Sequence, residues 1–420
     1  MGSFWTKVLG KEVDPAVRKK SLKIIFLFGL VSLFGDIIYE GARSVNGQYL
    51  KTLGANAAVV GFIAGLGEFV GYAVRFFSGY FSDKSKAYWV FTFVGYGMLA
   101  SVPLLALTGI WQSAAMFMVM ERLGKALRSP AKDTILSRAV TPVGTGFGFA
   151  LHEVMDQIGA LSGPLVFTGF FILLGRGVRT VADYQQGYGF LWVPYVILML
   201  CVFGAYCVMR DDSGLEEMPE KSRPAERLSP VFWMYSLFTF VVTLGFVSFV
   251  LVGYHFKVRG LFTDAQIPAL YALAMAVDAV AAVVTGRLYD KSKYKSGLRH
   301  GGLRLLLVIP AFSLFIPVLV FSLSRQLAVL GVVIWGVVMG CHETIMKSAI
   351  ADITSLAKRG TGYGVFNAAY GLAFFIGSAL AGALYEHSLK FLMIVFVVIE
   401  VSAVPIFFKI TSLVVRRNAV

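Results

Sequence analysis

Gly79-Tyr80-Phe81-Ser82-Asp83-Lys84-Ser85-Lys86 lies between two long apolar runs, and Gly286-Arg287-Leu288-Tyr289-Asp290-Lys291-Ser292-Lys293 repeats its pattern 207 residues later. Both read Gly-x-x-x-Asp-Lys-Ser-Lys, so the chain is built twice. A period of that length is too long for a solenoid unit and suits two similar membrane bundles in one polypeptide. A second pair agrees. Gly144-Thr145-Gly146-Phe147-Gly148 and Gly360-Thr361-Gly362-Tyr363-Gly364 stand 216 residues apart, and each opens an apolar segment after a basic loop.

The composition is that of a membrane protein. Of 420 residues 57% are hydrophobic and 15% charged, with a mean hydropathy of +0.73. Apolar runs of membrane-spanning length recur throughout. Twelve spans are expected, near 24–47, 57–80, 87–109, 111–129, 144–174, 187–209, 230–256, 266–287, 302–322, 327–349, 361–386 and 388–412. The fourth is the least apolar, carrying Glu121, Arg122, Lys125 and Arg128. The expected class is therefore an all-α integral membrane protein, twelve transmembrane helices in two six-helix pseudo-symmetric bundles. The expected division is a first bundle over 1–209, a polar linker over 210–229 and a second bundle over 230–420.

Charge sets the expected orientation. With the amino terminus cytoplasmic and residues near span ends counted with the adjoining loop, 28 Lys and Arg fall on the cytoplasmic side and 7 outside, while Arg43, Arg75 and Arg122 are counted within spans. That asymmetry follows the positive-inside rule and places both termini in the cytoplasm, in a cell (inner) membrane. The net charge of +14 is spread over alternate short loops, so it is an orientation signal and no nucleic-acid partner is expected. Cys201, Cys207 and Cys341 all lie in apolar segments, as small buried hydrophobes do. The start is expected not to be a cleavable leader.

Twelve spans in two repeats, with Gly-x-x-x-Asp-Lys after spans two and eight, resemble the major facilitator superfamily over essentially the whole chain. The loop signature there is Gly-x-x-x-Asp-Arg/Lys-x-Gly-Arg/Lys-Arg/Lys. This chain matches it at Gly79, Asp83, Lys84 and Lys86 and has Ser85 where the second glycine is usual. The resemblance implies two bundles rocking about a central cavity, with a cytoplasmic latch at Gly79, Asp83, Lys84, Gly286, Asp290 and Lys291. Asp83, near a helix end, is expected to accept from free backbone N–H groups. Gly159-Ala160-Leu161-Ser162-Gly163-Pro164 is similar to the core of the antiporter signature of drug exporters, without its following glycine pair. Arg122 resembles the fourth-helix arginine of that class, with Lys125 where Gln is usual.

Ionisable side chains inside spans are costly, which makes them candidates for function. Asp36, Glu40 and Arg43 share one stripe of span one, and His152 and Asp156 share a glycine-rich face of span five. Asp278 stands alone in span eight. Asp36, Glu40, Asp156 and Asp278 are the expected proton-coupling residues, with Arg43 and Arg122 as charge partners, Arg43 pairing Glu40 or Asp36. His152, His342, Glu343, Asn367 and Tyr370 are expected to line a substrate cavity, Glu343 and Lys347 standing at helical pairing distance. Glu68 and Arg75 are read as structural.

No enzyme motif is present: His342-Glu343-Thr344-Ile345-Met346 lacks the second His of a zinc-protease helix. The expected function is alternating-access secondary transport of a small solute, coupled to protons by antiport, with efflux of organic compounds suggested by the partial signature. No cofactor and no bound metal are expected, and the protein is expected to act as a monomer in the bilayer. The alternatives are a divalent-cation transporter, for which Asp36, His152, Asp156, His342 and Glu343 would be the oxygen and nitrogen donors, and a non-transporting sensor on a transporter scaffold.

Overall fold

The computed structural model describes residues 15–140, 143–175, 177–209, 228–296, 301–354 and 359–418. Most of the linker, 210–227, lies outside them.

Twelve helical segments cross the fold. They are α1 (Pro15–Thr52), α2 (Ala57–Ser85), α3 (Tyr88–Leu107), α4 (Trp111–Val140), α5 (Thr145–Leu173) and α6 (Val181–Met209), then α7 (Pro230–Val258), α8 (Gln266–Ser296), α9 (Gly301–Val320), α10 (Arg325–Ile353), α11 (Arg359–His387) and α12 (Leu389–Asn418). Eleven are long and apolar enough to span a membrane unaided. The exception is α4, whose charges lower its hydropathy. Its neighbours accept them: Glu121 and Arg128 are buried, and the Arg128 guanidinium lies 4.8 Å from the centre of the Tyr96 ring. A helix too polar to face lipid all round is thus stable within a bundle.

Local chemistry sets the ends. The Asn56 side chain accepts from the Val59 N–H and starts α2, and Lys86 ends it in the left-handed region at φ 57°. Thr180 and Asp183 form a capping box before α6. Ser229 caps α7 with Pro230 behind it.

Packing repeats between the halves. α1 lies against α5 and α6 as α7 lies against α11 and α12, and α2 against α4 as α8 against α10. The halves meet through α2 on α11, α5 on α8 and α1 on α7. Their closest approach needs glycine: a Cβ at Gly61 would stand 2.3 Å from the Ser378 carbonyl oxygen, and one at Gly47 2.0 Å from that of Val250.

Bonds between the halves cluster towards the face opposite the Asp83 loop. There the Ala57 N–H donates to Glu386 at 2.6 Å and the Arg179 N–H to Asp264 at 3.0 Å. Tyr184 donates to Asp264 at 2.8 Å, and Lys257 pairs with the same carboxylate at 2.6 Å.

Candidate functional site

Between the halves lies a cavity of about 240 Å³. Seven carboxyl side chains line it, Asp36, Glu40, Glu68, Glu153, Asp156, Asp278 and Glu343, with five cations, Arg43, Arg75, Arg122, Lys125 and Lys347. Water-sized space amid this much charge is what makes the charge tolerable at membrane depth.

Helix packing organises these groups into a network on the first half. Arg43 donates to Glu68 Oε1 at 2.8 Å, and Arg122 lies 3.1 Å from the same oxygen. Both guanidiniums also donate to the Tyr39 hydroxyl, Arg43 at 2.9 Å. Arg122 further pairs with Glu121 at 3.4 Å, and Lys125 sits 3.9 Å from the centre of the Tyr39 ring. Arg43 therefore pairs across to α2 rather than with Glu40 or Asp36. Arg43 and Glu40 share a stripe, but each finds its partners elsewhere, Arg43 at Glu68 and Tyr39. Glu40 instead receives the Tyr271 hydroxyl at 2.6 Å, a bond that joins α1 to α8 across the two halves.

A second cluster holds two carboxyls together. Ser32 donates to Asp156 Oδ1, and Asp36 and Asp156 line the same two cavities side by side. Close packing produces this pair: a Cβ on Gly159 would be 3.0 Å from the Asp36 Cβ, so α1 and α5 run nearly in backbone contact. Lys125 and Lys132 border the same space.

The second half is sparser. Asp278 is buried and lines the cavity, and its Oδ1 has no partner among the described residues. Glu343 and Lys347 both line the cavity without forming an ion pair. α10 makes a π-helical turn over His342–Met346, which disturbs the four-residue register that pairing assumed. Such turns are common at functional sites.

Three expected cavity residues lie elsewhere. His152 is buried with its Nε2 3.4 Å from Lys132 Nζ, on the α4 side of α5. His342 is buried with Nδ1 3.3 Å from the Tyr370 hydroxyl and its ring 4.9 Å from Phe246. Asn367 is half-buried outside the cavity lining, whereas Tyr370 faces the cavity. At the loop repeat, Asp83 accepts the Tyr88 hydroxyl at 3.1 Å instead of backbone N–H groups. Lys84, Asp290 and Lys291 are exposed, Gly79 faces Pro130 of α4, and Gly286 faces Thr344 of α10. Beside the second copy it is Tyr289 and Lys293 that bond, both to Asp352, at 3.0 and 2.7 Å.

The family model of the Major Facilitator Superfamily matches residues 25–378. The chain belongs to that superfamily. An uncharacterized protein of Mycobacterium tuberculosis is 36% identical over 395 residues, covering 92% of this chain and 93% of that one. An uncharacterized MFS-type transporter of Methanocaldococcus jannaschii is 24% identical over 382 residues, covering 87% and 89%. Among solved structures, a bacterial homolog of the human lysosomal transporter Spinster, inward-facing and unoccupied, superposes with a TM-score of 0.69 at 15% identity, covering 96% of this chain and 99% of that one. The protein is a multi-pass membrane transporter with the major facilitator fold.

Within this superfamily fold, the cavity also takes in Glu68, read from the sequence as structural, Lys125, read as the residue in place of the usual Gln, and Tyr39 and Tyr271, which sequence reasoning did not single out. Glu68 carried a usable signal, an intramembrane carboxylate on a glycine stripe, but its partners are on other helices. Nothing in the sequence sets the two tyrosines apart, and only helix packing brings their hydroxyls to Arg43 and Glu40.

Proposed function

We propose that the protein is a proton-coupled transporter of a small organic solute. It works by alternating access between the halves 1–209 and 230–420, with 210–229 as their link. The observation that carries the coupling is that Asp36 and Asp156 line the cavity together where α1 and α5 run nearly in backbone contact. Two carboxyl groups held this close share a proton rather than both ionise. Releasing that proton as the halves rock would couple its movement to the solute's.

The cavity's charge favours a cationic or zwitterionic solute. Glu68 engages Arg43 and Arg122, leaving Arg75, Lys125 and Lys347 beside six other carboxyls. The bonds between the halves at the Ala57 and Asp264 end support a state closed there and accessible from the Asp83 face. The surplus of Lys and Arg on the Asp83 side supports a cytoplasmic location for that face and for both termini, in the cell membrane.

The test uses purified protein in liposomes with an imposed pH gradient. A thermal-shift panel of organic cations, zwitterions and anions first supplies a stabilising solute. Gradient-driven uptake is expected for wild type and lost in Asp36→Asn and Asp156→Asn, with solute binding retained. Wild-type uptake in both variants would overturn the coupling. Stabilisation by organic anions alone would overturn the solute class.

A further inference from the structure

α1 runs unbroken, but its counterpart α7 is interrupted at Gly245–Ser248, between helical segments Pro230–Leu244 and Phe249–Val258. The Gly245 N–H donates to the Val241 carbonyl and the Phe246 N–H to that of Thr243. Val247's carbonyl accepts the Trp335 indole N–H at 2.8 Å. Among the described residues, no backbone N–H reaches the carbonyls of Leu244, Gly245 or Phe246. Unpaired carbonyls inside a membrane protein call for another donor.

Glu400 of α12 lies against this break. It is 0% exposed, and Ser313 of α9 donates to its Oε1 at 2.6 Å. Its Oε2 is buried without a partner among the described residues. A Cβ on Gly245 would come within 2.5 Å of Oε1, so glycine at the break is what admits the carboxyl. No charged side chain among the described residues bears on Glu400, whose polar contact is Ser313.

We infer that Glu400 is a proton-binding site separate from the central cavity: it holds a proton on Oε2, against the α7 break at Gly245. An ionised carboxylate here would be buried with one neutral donor and no counter-charge, an arrangement that proteins avoid by neutralising the group. A bound metal cation would draw on the carbonyls of the break as well as on the carboxylate, and the test below carries a sodium arm to detect it. Taking up one proton converts carboxylate to acid and requires nothing else. Because Oε1 already accepts from Ser313, the proton belongs on Oε2. The neutral acid thereby ties α12 to the hinge of α7, independently of the cavity chemistry proposed above.

Infrared difference spectra of the lipid-embedded protein at neutral pH test this without a transported solute. Wild type minus Glu400→Gln is expected to show the C=O stretch of a protonated carboxyl, unchanged when sodium is replaced by N-methylglucamine. Glu400→Gln is expected to keep its Tm, since an amide offers the same acceptor to Ser313 and a donor in place of the acid proton. Ser313→Ala is expected to raise the frequency of the stretch, and this serves if the Gln variant does not fold. A carboxylate band in place of the acid band, a stretch that ignores Ser313→Ala, or a sodium-dependent Tm lost in Glu400→Gln would each overturn the assignment.

Discussion

Arg43 of α1 donates to Glu68 of α2 at 2.8 Å, and neither side chain is more than slightly exposed, at 10% and 12%. The same Glu68 oxygen faces Arg122 of α4, so one carboxylate holds three helices together. Removing Glu68 leaves Arg43 with the Tyr39 hydroxyl alone and Arg122 with Tyr39 and the longer Glu121 contact, and losing one partner of a buried pair costs about 3–5 kcal/mol. Glu68→Gln is therefore expected to lower the Tm in detergent markedly, while Arg43→Gln with Glu68→Gln recovers part of the loss. A double-mutant cycle by thermal unfolding measures the coupling; additive losses would show the pair to be independent.

Tyr271→Phe removes the hydroxyl that reaches Glu40 across the halves at 2.6 Å. A hydrogen bond to a charged group contributes about 1.5–3 kcal/mol. The bond exists only while α8 lies against α1, so its loss should act on the balance between conformations more than on folding. Double electron–electron resonance between spin labels on the two halves is expected to show a shifted distance distribution, with a change in Tm small beside that of Glu68→Gln. An unchanged distribution would mean that the bond persists through the cycle.

The repeat at Gly79 and Gly286 made the fold legible, because one loop pattern standing twice between apolar runs marks two bundles of like topology. Even α4 was legible, although its charges hid it from a purely apolar criterion. The site was legible only residue by residue. Asp36, Glu40, Asp156, Asp278 and Glu343 reach the cavity because a charge in a span must face protein or water. Their partners were not legible. Arg43 to Glu68, Glu40 to Tyr271 and His152 to Lys132 depend on how helices rotate and pack, which stripes on single helices do not encode. The π-turn at His342 and the break at Gly245 leave no simple periodic mark either.

Gly61 permits the halves to touch, since a Cβ there would meet the Ser378 carbonyl oxygen at 2.3 Å, and that atom is backbone that cannot swing away. Gly61→Leu is expected to keep the opposite face from closing while each half still folds. A cysteine at Ala57, buried in the closed arrangement, should then react with a membrane-impermeant maleimide about tenfold faster, as a shift of about 1.4 kcal/mol between states implies. Unchanged labelling would show that the contact is dispensable for closure.

Asp264 gathers the opposite face. It accepts from the Arg179 backbone N–H at 3.0 Å and from the Tyr184 hydroxyl at 2.8 Å, both on the first half, while Lys257 holds it at 2.6 Å on the second. Tyr184 also donates to Gln48 of α1 at 3.0 Å, so the closure reaches the helix that carries Asp36 and Glu40. Asp264→Ala deletes the acceptor of two bonds between halves and leaves the half-buried Lys257 without its counter-charge. It is expected to populate the state open at this face and to raise Ala57→Cys labelling as Gly61→Leu does. Asp264→Asn keeps an oxygen acceptor for the Arg179 N–H and the Tyr184 hydroxyl, so its labelling is expected to stay nearer the parent's than that of Asp264→Ala. Equal labelling in Asp264→Asn and Asp264→Ala would place the closing force in packing rather than in these two bonds.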